Sequence, residues 1–153
     1  MEELIEITFE EVKLESLTHL LVAFASGSTL LNYDVASDPF DETLVDLKDE
    51  SKLLTALSLL TNYAIYFNFP EFEFAGLALS AVGIQVFGYN GKLDLNIIFD
   101  YNLTTNKVSI PSLQAWASLI AVQSNAKTYF CGLEPAVNLN TRFFTEDILG
   151  PLG

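Results

Sequence analysis

Apolar and polar residues alternate most regularly between Val82 and Phe99, on either side of the dipeptide Asn90-Gly91. Asn-Gly tolerates the two positive φ angles that a two-residue type I′ turn demands, so the stretch predicts a β-hairpin. Its pairs are Tyr89–Lys92, Phe87–Asp94, Gln85–Asn96 and Gly83–Ile98, interleaved with Gly88–Leu93, Val86–Leu95, Ile84–Ile97 and Val82–Phe99. One face is then almost wholly aliphatic, while the other carries Gln85, Tyr89, Lys92, Asp94 and Asn96. A slip of one residue would mix the faces, so the pattern specifies the register. The hairpin is expected at the centre of a sheet with one buried face.

The rest of the chain supplies companions for it. Leu4, Ile5, Ile7 and Phe9 interleave with Glu6, Thr8 and Glu10 as a short first strand or an extended lead-in. Leu14, Leu17, Leu21 and Phe24 recur at helical spacing and predict a helix over Glu11–Ala25, with Gly27 as its stop. A short strand follows around Leu31–Val35. A second helix is capped by Asp49 or Ser51, shows an apolar stripe of Leu53, Leu54, Leu57 and Leu60, and ends near Asn62. Ala64–Phe74 reads as a strand in which Pro70, lacking an amide donor, marks an edge, a bulge or a break. Leu77–Ala81 leads into the hairpin. Ser109-Ile110-Pro111-Ser112 opens a third helix with Leu113, Trp116, Ala117 and Ile120 on its buried stripe and Asn125 as its stop. Lys127–Cys131 is a last strand ended by Gly132. The remainder is an ordered tail lying over the domain at first, because Phe143, Phe144, Ile148 and Leu149 need burial, and a Glu134–Arg142 salt bridge pins it. The expected class is α+β: one domain over 1–153, with an antiparallel or mixed sheet and about three helices packed on it.

Composition adds a strong sign. Twenty acids face seven bases, giving a net charge of −13 and a pI near 4.1, with a mean hydropathy of +0.34. Residues 1–50 hold thirteen of the acids against two bases, Lys13 and Lys48. Nucleic-acid binding rests on Lys and Arg displacing counterions, so a nucleic-acid partner is excluded. The charge-free, apolar Phe74–Tyr89 falls short of the ~20 residues of a spanning helix and holds three glycines, so no membrane span is expected. Met1-Glu2-Glu3 is the reverse of a signal peptide's basic start, and the one cysteine forms no internal disulfide, so a cytoplasmic protein is expected.

Candidate chemistry is thin. His19 has no second ligand beside it, and Cys131, at the end of an apolar strand, reads as buried and inert. Nucleotide-binding glycine loops, a nucleophile elbow and metal-ligand spacing are all missing. Glu71, Glu73, Asp94 and Asp100 supply carboxylates of the glycosidase kind, but a wet sheet edge is the simpler reading. No enzyme, cofactor or metal is expected. The acids Asp34, Asp38, Asp41, Glu42, Asp46, Asp49 and Glu50 crowd one loop and its borders, lack a calcium-loop pattern, and form instead an electrostatic landing surface, with Tyr33 or Phe40 as aromatic anchor.

In size, acidity and lack of catalytic residues or signal peptide, the chain resembles the acidic immunity proteins of bacterial polymorphic-toxin and contact-dependent growth inhibition systems. That resemblance implies a monomer or weak dimer that binds and neutralises a basic toxin domain, one example being a nuclease. The runs Tyr129–Pro135 and Thr141–Thr145 are distinctive but carry no assigned role. The alternative is an acidic secretion-type chaperone that holds an effector segment along apolar grooves, with the Phe67–Phe74 strand partly exposed. Replacing Gly91 by Val puts a β-branched side chain into left-handed backbone, at a cost of about 1–2 kcal/mol. A thermal melt should show a clear drop in melting temperature, and an unchanged value would refute the turn.

Overall fold

A computed structural model describes residues 3–36 and 46–153. These residues form three α-helices and eight strands, and every strand pairing in the sheet is antiparallel. In chain order the elements are β1 (Leu4–Glu10), α1 (Leu14–Ser26), β2 (Asn32–Ala36), α2 (Glu50–Ser58), β3 (Tyr63–Phe74), β4 (Leu77–Tyr89) and β5 (Lys92–Asp100). Then come α3 (Ile110–Ser124), β6 (Thr128–Leu133), β7 (Arg142–Thr145) and β8 (Ile148–Leu149). The spatial order is β2-β3-β4-β5-β1-β6-β7-β8.

The β4–β5 hairpin has the expected turn, with Asn90 at φ 48° and Gly91 at φ 75°, and the expected register from Tyr89↔Lys92 to Gly83↔Ile98. Its aliphatic face belongs to a row that crosses the whole sheet: Tyr33, Phe67, Ile84, Ile97, Ile7, Cys131, Phe144 and Leu149 are successive cross-strand neighbours. On this face the three helices lay down Leu17, Leu20, Phe24, Leu53, Leu57, Leu113, Trp116 and Ile120, and one continuous core results. Each fully buried aliphatic or aromatic side chain contributes about 1.5–3 kcal/mol relative to exposure.

Local chemistry sets the helix ends. Asp49 caps α2 by accepting from the Lys52 N–H at 3.1 Å, and Ser109 caps α3 by accepting from the Ser112 N–H at 3.2 Å. Asn125 closes α3 in the left-handed conformation, φ 54°. Helix α1 starts three residues later than the periodicity predicts, because Glu11–Lys13 form a corner tied to β5. There the Glu11 N–H donates to Asp94 Oδ1 at 2.9 Å and the Val12 N–H to the Leu93 carbonyl at 2.8 Å. Helix α2 stops at Ser58, short of Asn62, so that the chain can turn into β3.

Pro70 neither breaks β3 nor shifts its register, since pairing with β4 keeps one alignment from Tyr63↔Gly88 to Phe74↔Leu77. Pairing lapses only where Pro70 meets Ala81, which adopts φ 54°. There the inward positions step by three instead of two, from Phe69 and Val82 to Phe72 and Leu79, so both strands rotate together. The C-terminal segment departs further from expectation. Gly132 lies inside β6, where the carbonyl of Thr141 approaches within 2.8 Å of the position a Cβ would take. Beyond it the chain adds β7 and β8 to the sheet instead of lying over it; Phe143 and Phe144 are buried as expected, but Ile148 and Leu149 stay exposed because β8 is the edge strand.

Two polar side chains discharge backbone obligations inside this frame. Trp116 Nε1 donates to the Phe74 carbonyl at 2.8 Å. Asn106, fully buried, accepts from the Ser80 N–H at 2.7 Å and donates at 2.9 Å to the carbonyls of Ser80 and Asp100, fastening the 100–107 connection to β4. Asn106→Ala strands these groups and should cost about 2–3 kcal/mol. Denaturant unfolding checks this, and a loss below about 0.5 kcal/mol, the range of an ordinary surface change, would show the network to be dispensable.

Candidate partner-binding surface

The face of the sheet away from the helices is where the chain meets solvent in an organised way. One of its rows runs Asp34, Tyr66, Gln85, Asn96, Thr8, Phe130 and Thr145 from strand to strand. The next runs Asn32, Asn68, Gly83, Ile98, Glu6, Gly132 and Arg142. A third brings Phe87 opposite Asp94. The face therefore alternates rings, amides and carboxylates, a mixture suited to contact with another protein.

Its charges are arranged by strand ends. At one end Glu11 gathers Lys127 at 3.3 Å and Lys92 at 3.6 Å, and the Lys127 ammonium beside it holds the Glu11 carboxyl below its usual range. Tyr89 donates its hydroxyl to Asp94 Oδ2 at 2.9 Å, and that bond, with the surrounding negative charge, pushes the phenol up to about 12. At the far edge Arg142 lies 4.0 Å above the Phe130 ring and donates to the Ala136 carbonyl at 3.0 Å and to Thr145 Oγ1 at 2.9 Å. This is a correction to the expected Glu134–Arg142 salt bridge: the guanidinium is committed to the ring, a carbonyl and a hydroxyl. The loop is pinned instead by Glu6 Oε1, which accepts from the Ala136 N–H at 3.0 Å.

The expected acidic set is divided. Asp34 points out from the open face opposite Tyr66, whereas Tyr33 turns inward, half-buried, with its ring 6.1 Å from Phe67. Asp46, Asp49 and Glu50 belong to the start of α2 in the helical layer. Asp46 accepts from the Lys48 N–H, Asp49 caps the helix, and Glu50 meets His19 Nδ1 at 2.6 Å. Asp38, Phe40, Asp41 and Glu42 lie outside the described residues. Residues that the acid count passed over, Tyr66, Glu6, Asp100 and Glu134, share the open face; the sequence signal was their alternation against the buried row.

Cys131 is fully buried, and burial pushes its thiol well above the ordinary range. Phe67, Phe69 and Phe72 are buried too, which removes the exposed aromatic groove that the chaperone reading requires. Among the described residues, no three His, Cys, Asp or Glu side chains are grouped to hold a metal, and no helix is long and apolar enough to cross a membrane.

A sheet packed on one side, with rings and carboxylates on the other, has the make-up of a protein-binding α+β module. The chain belongs to the PABL017 Cdi1I immunity protein family, whose model matches residues 3–148. It is also similar, over 100% of both chains, to a chain in the crystal structure of the toxic C-terminal tip of CdiA from Pseudomonas aeruginosa in complex with immune protein, at 28% identity and a TM-score of 0.81. No curated protein matched the sequence.

The Tyr89–Asp94 bond gives a pH prediction. The fold favours the protonated phenol, so this bond supports the fold below the free phenol's pKa of 10 and is lost as pH rises toward about 12. Tyr89→Phe should therefore destabilise the protein at neutral pH and converge on the wild type in the alkaline range. Melting temperatures measured across that range check it, and a constant difference would refute the assignment.

Proposed function

We propose that this chain is the cytoplasmic antidote to a contact-dependent growth inhibition toxin, binding the toxic C-terminal domain and blocking it by occlusion, with no chemistry of its own. Family membership is the observation that carries this reading. The structure similar to this chain over its full length is itself a complex of a CdiA toxin tip with immune protein. The proposed partner is cationic. A net charge of −13 repels acidic surfaces and attracts basic ones, and such a field raises association rates by roughly 10–1,000-fold at low salt.

The acids of the first third of the chain serve this capture. Asp34, Asp38, Asp41, Glu42, Asp46, Asp49 and Glu50 supply the long-range attraction, with Phe40 as aromatic contact, since Tyr33 is turned into the core. Because Asp34 is on the open face and Asp46, Asp49 and Glu50 are in the helical layer, they act together through their summed field and not as one patch. The complex is one monomer against one toxin domain.

The test uses the cognate CdiA toxin tip as partner. Reversing Asp38, Asp41, Glu42 and Asp46 together to Lys should slow association about tenfold or more at low salt and flatten its salt dependence, with the melting temperature nearly unchanged. Stopped-flow or surface-plasmon measurements read the rates. A wild-type chain that neither binds the tip nor protects cells expressing it would overturn the proposal.

A further inference from the structure

On the open face lies a groove of about 510 Å³, and every acidic or basic side chain lining it is a carboxylate: Glu6, Asp100 and Glu134. Its floor is Gly83 and Ile98, cross-strand neighbours on β4 and β5, and its walls include Tyr66 and Leu103. Gly83 makes the groove possible. A Cβ built there would lie 2.5 Å from Tyr66 Oη, so the phenol rests flat on bare backbone. The ring is still 37% exposed, and Leu103 is 38% exposed.

The acidic first third reaches the same place, since Asp34 is the neighbour of Tyr66 across β2 and β3.

We infer that this groove is the docking seat for a basic side chain, arginine or lysine, presented by the toxin domain. The alkyl stem would lie along Tyr66, Ile98 and Leu103, and the cationic head would sit among Glu6, Asp100 and Glu134, combining cation–π and charge-assisted contact. The inference rests on the immunity reading and adds to it the place where the toxin is held. Steering acids act on arrival, whereas groove residues act on retention, so the two roles separate kinetically.

Glu6→Gln combined with Glu134→Gln retains the acceptor oxygens, including the one Glu6 offers to Ala136, and removes two charges. Glu15→Gln with Asp147→Asn, both outside the groove, removes the same charge elsewhere. With its cognate CdiA toxin tip as partner, the groove pair should speed dissociation at least tenfold at an unchanged melting temperature, and the Glu15–Asp147 pair should leave dissociation as it is. A second readout exploits the buried native thiol: Gln85→Cys offers an accessible thiol whose alkylation should slow at least tenfold when the tip binds, while Ser51→Cys should not respond. If the wild type binds and both groove readouts stay flat, this inference is overturned and the immunity function stands. If the wild type does not bind the tip, both fall.

Discussion

The structure depends on the insertion of β1 between β5 and β6. Seven residues near the N-terminus pair on both edges, Leu4↔Asp100 and Ile5↔Phe99 on one side and Ile5↔Leu133 and Ile7↔Cys131 on the other. Without them the β2–β5 meander and the β6–β8 ribbon would be two separate sheets, each with an additional exposed edge. With them, Ile5, Ile7 and Phe9 are fully buried under the helices. The chain closes loops of about ninety residues or more to make these contacts, a cost in entropy that grows slowly with length and is met by continuous burial.

The same insertion decides where function can reside. All three helices lie on one face because the aliphatic row is there, which leaves the other face uncovered across its width. Its composition then follows from pleating: whichever residues alternate with the core must face out, and along β1, β3, β4 and β5 these are Glu6, Tyr66, Gln85, Asp94 and Asn96. A wide antiparallel sheet with one dry face leaves its other face as a broad, rigid surface.

How much of this was legible depended on how local the cause was. The Asn90-Gly91 turn, the Asp49 cap, the helix opening at Ser109–Ser112 and the Asn125 stop all came through, since each is determined by residues within one turn of itself. The central position of β1 did not, because alternation in Leu4–Phe9 identifies a strand without naming its neighbours. Gly132 was misread as a stop; its role is to admit the Thr141 carbonyl, a contact with a distant segment. Strands β7 and β8 are too short for periodicity to find. The acids were visible in number but not in direction, so Asp34 and the α2 carboxylates looked like one surface, while the Glu6, Asp100 and Glu134 groove is assembled from three strands far apart in sequence.

The order of synthesis sharpens the meaning of that first strand. Residues 4–10 leave the ribosome before anything they will pair with, and their second partner ends at Leu133. At ordinary elongation speeds the strand waits on the order of ten seconds for its place. A nascent chain that has not yet reached Leu133 therefore lacks the complete open face. For a cell under attack, the stock of antidote is set by completed molecules alone.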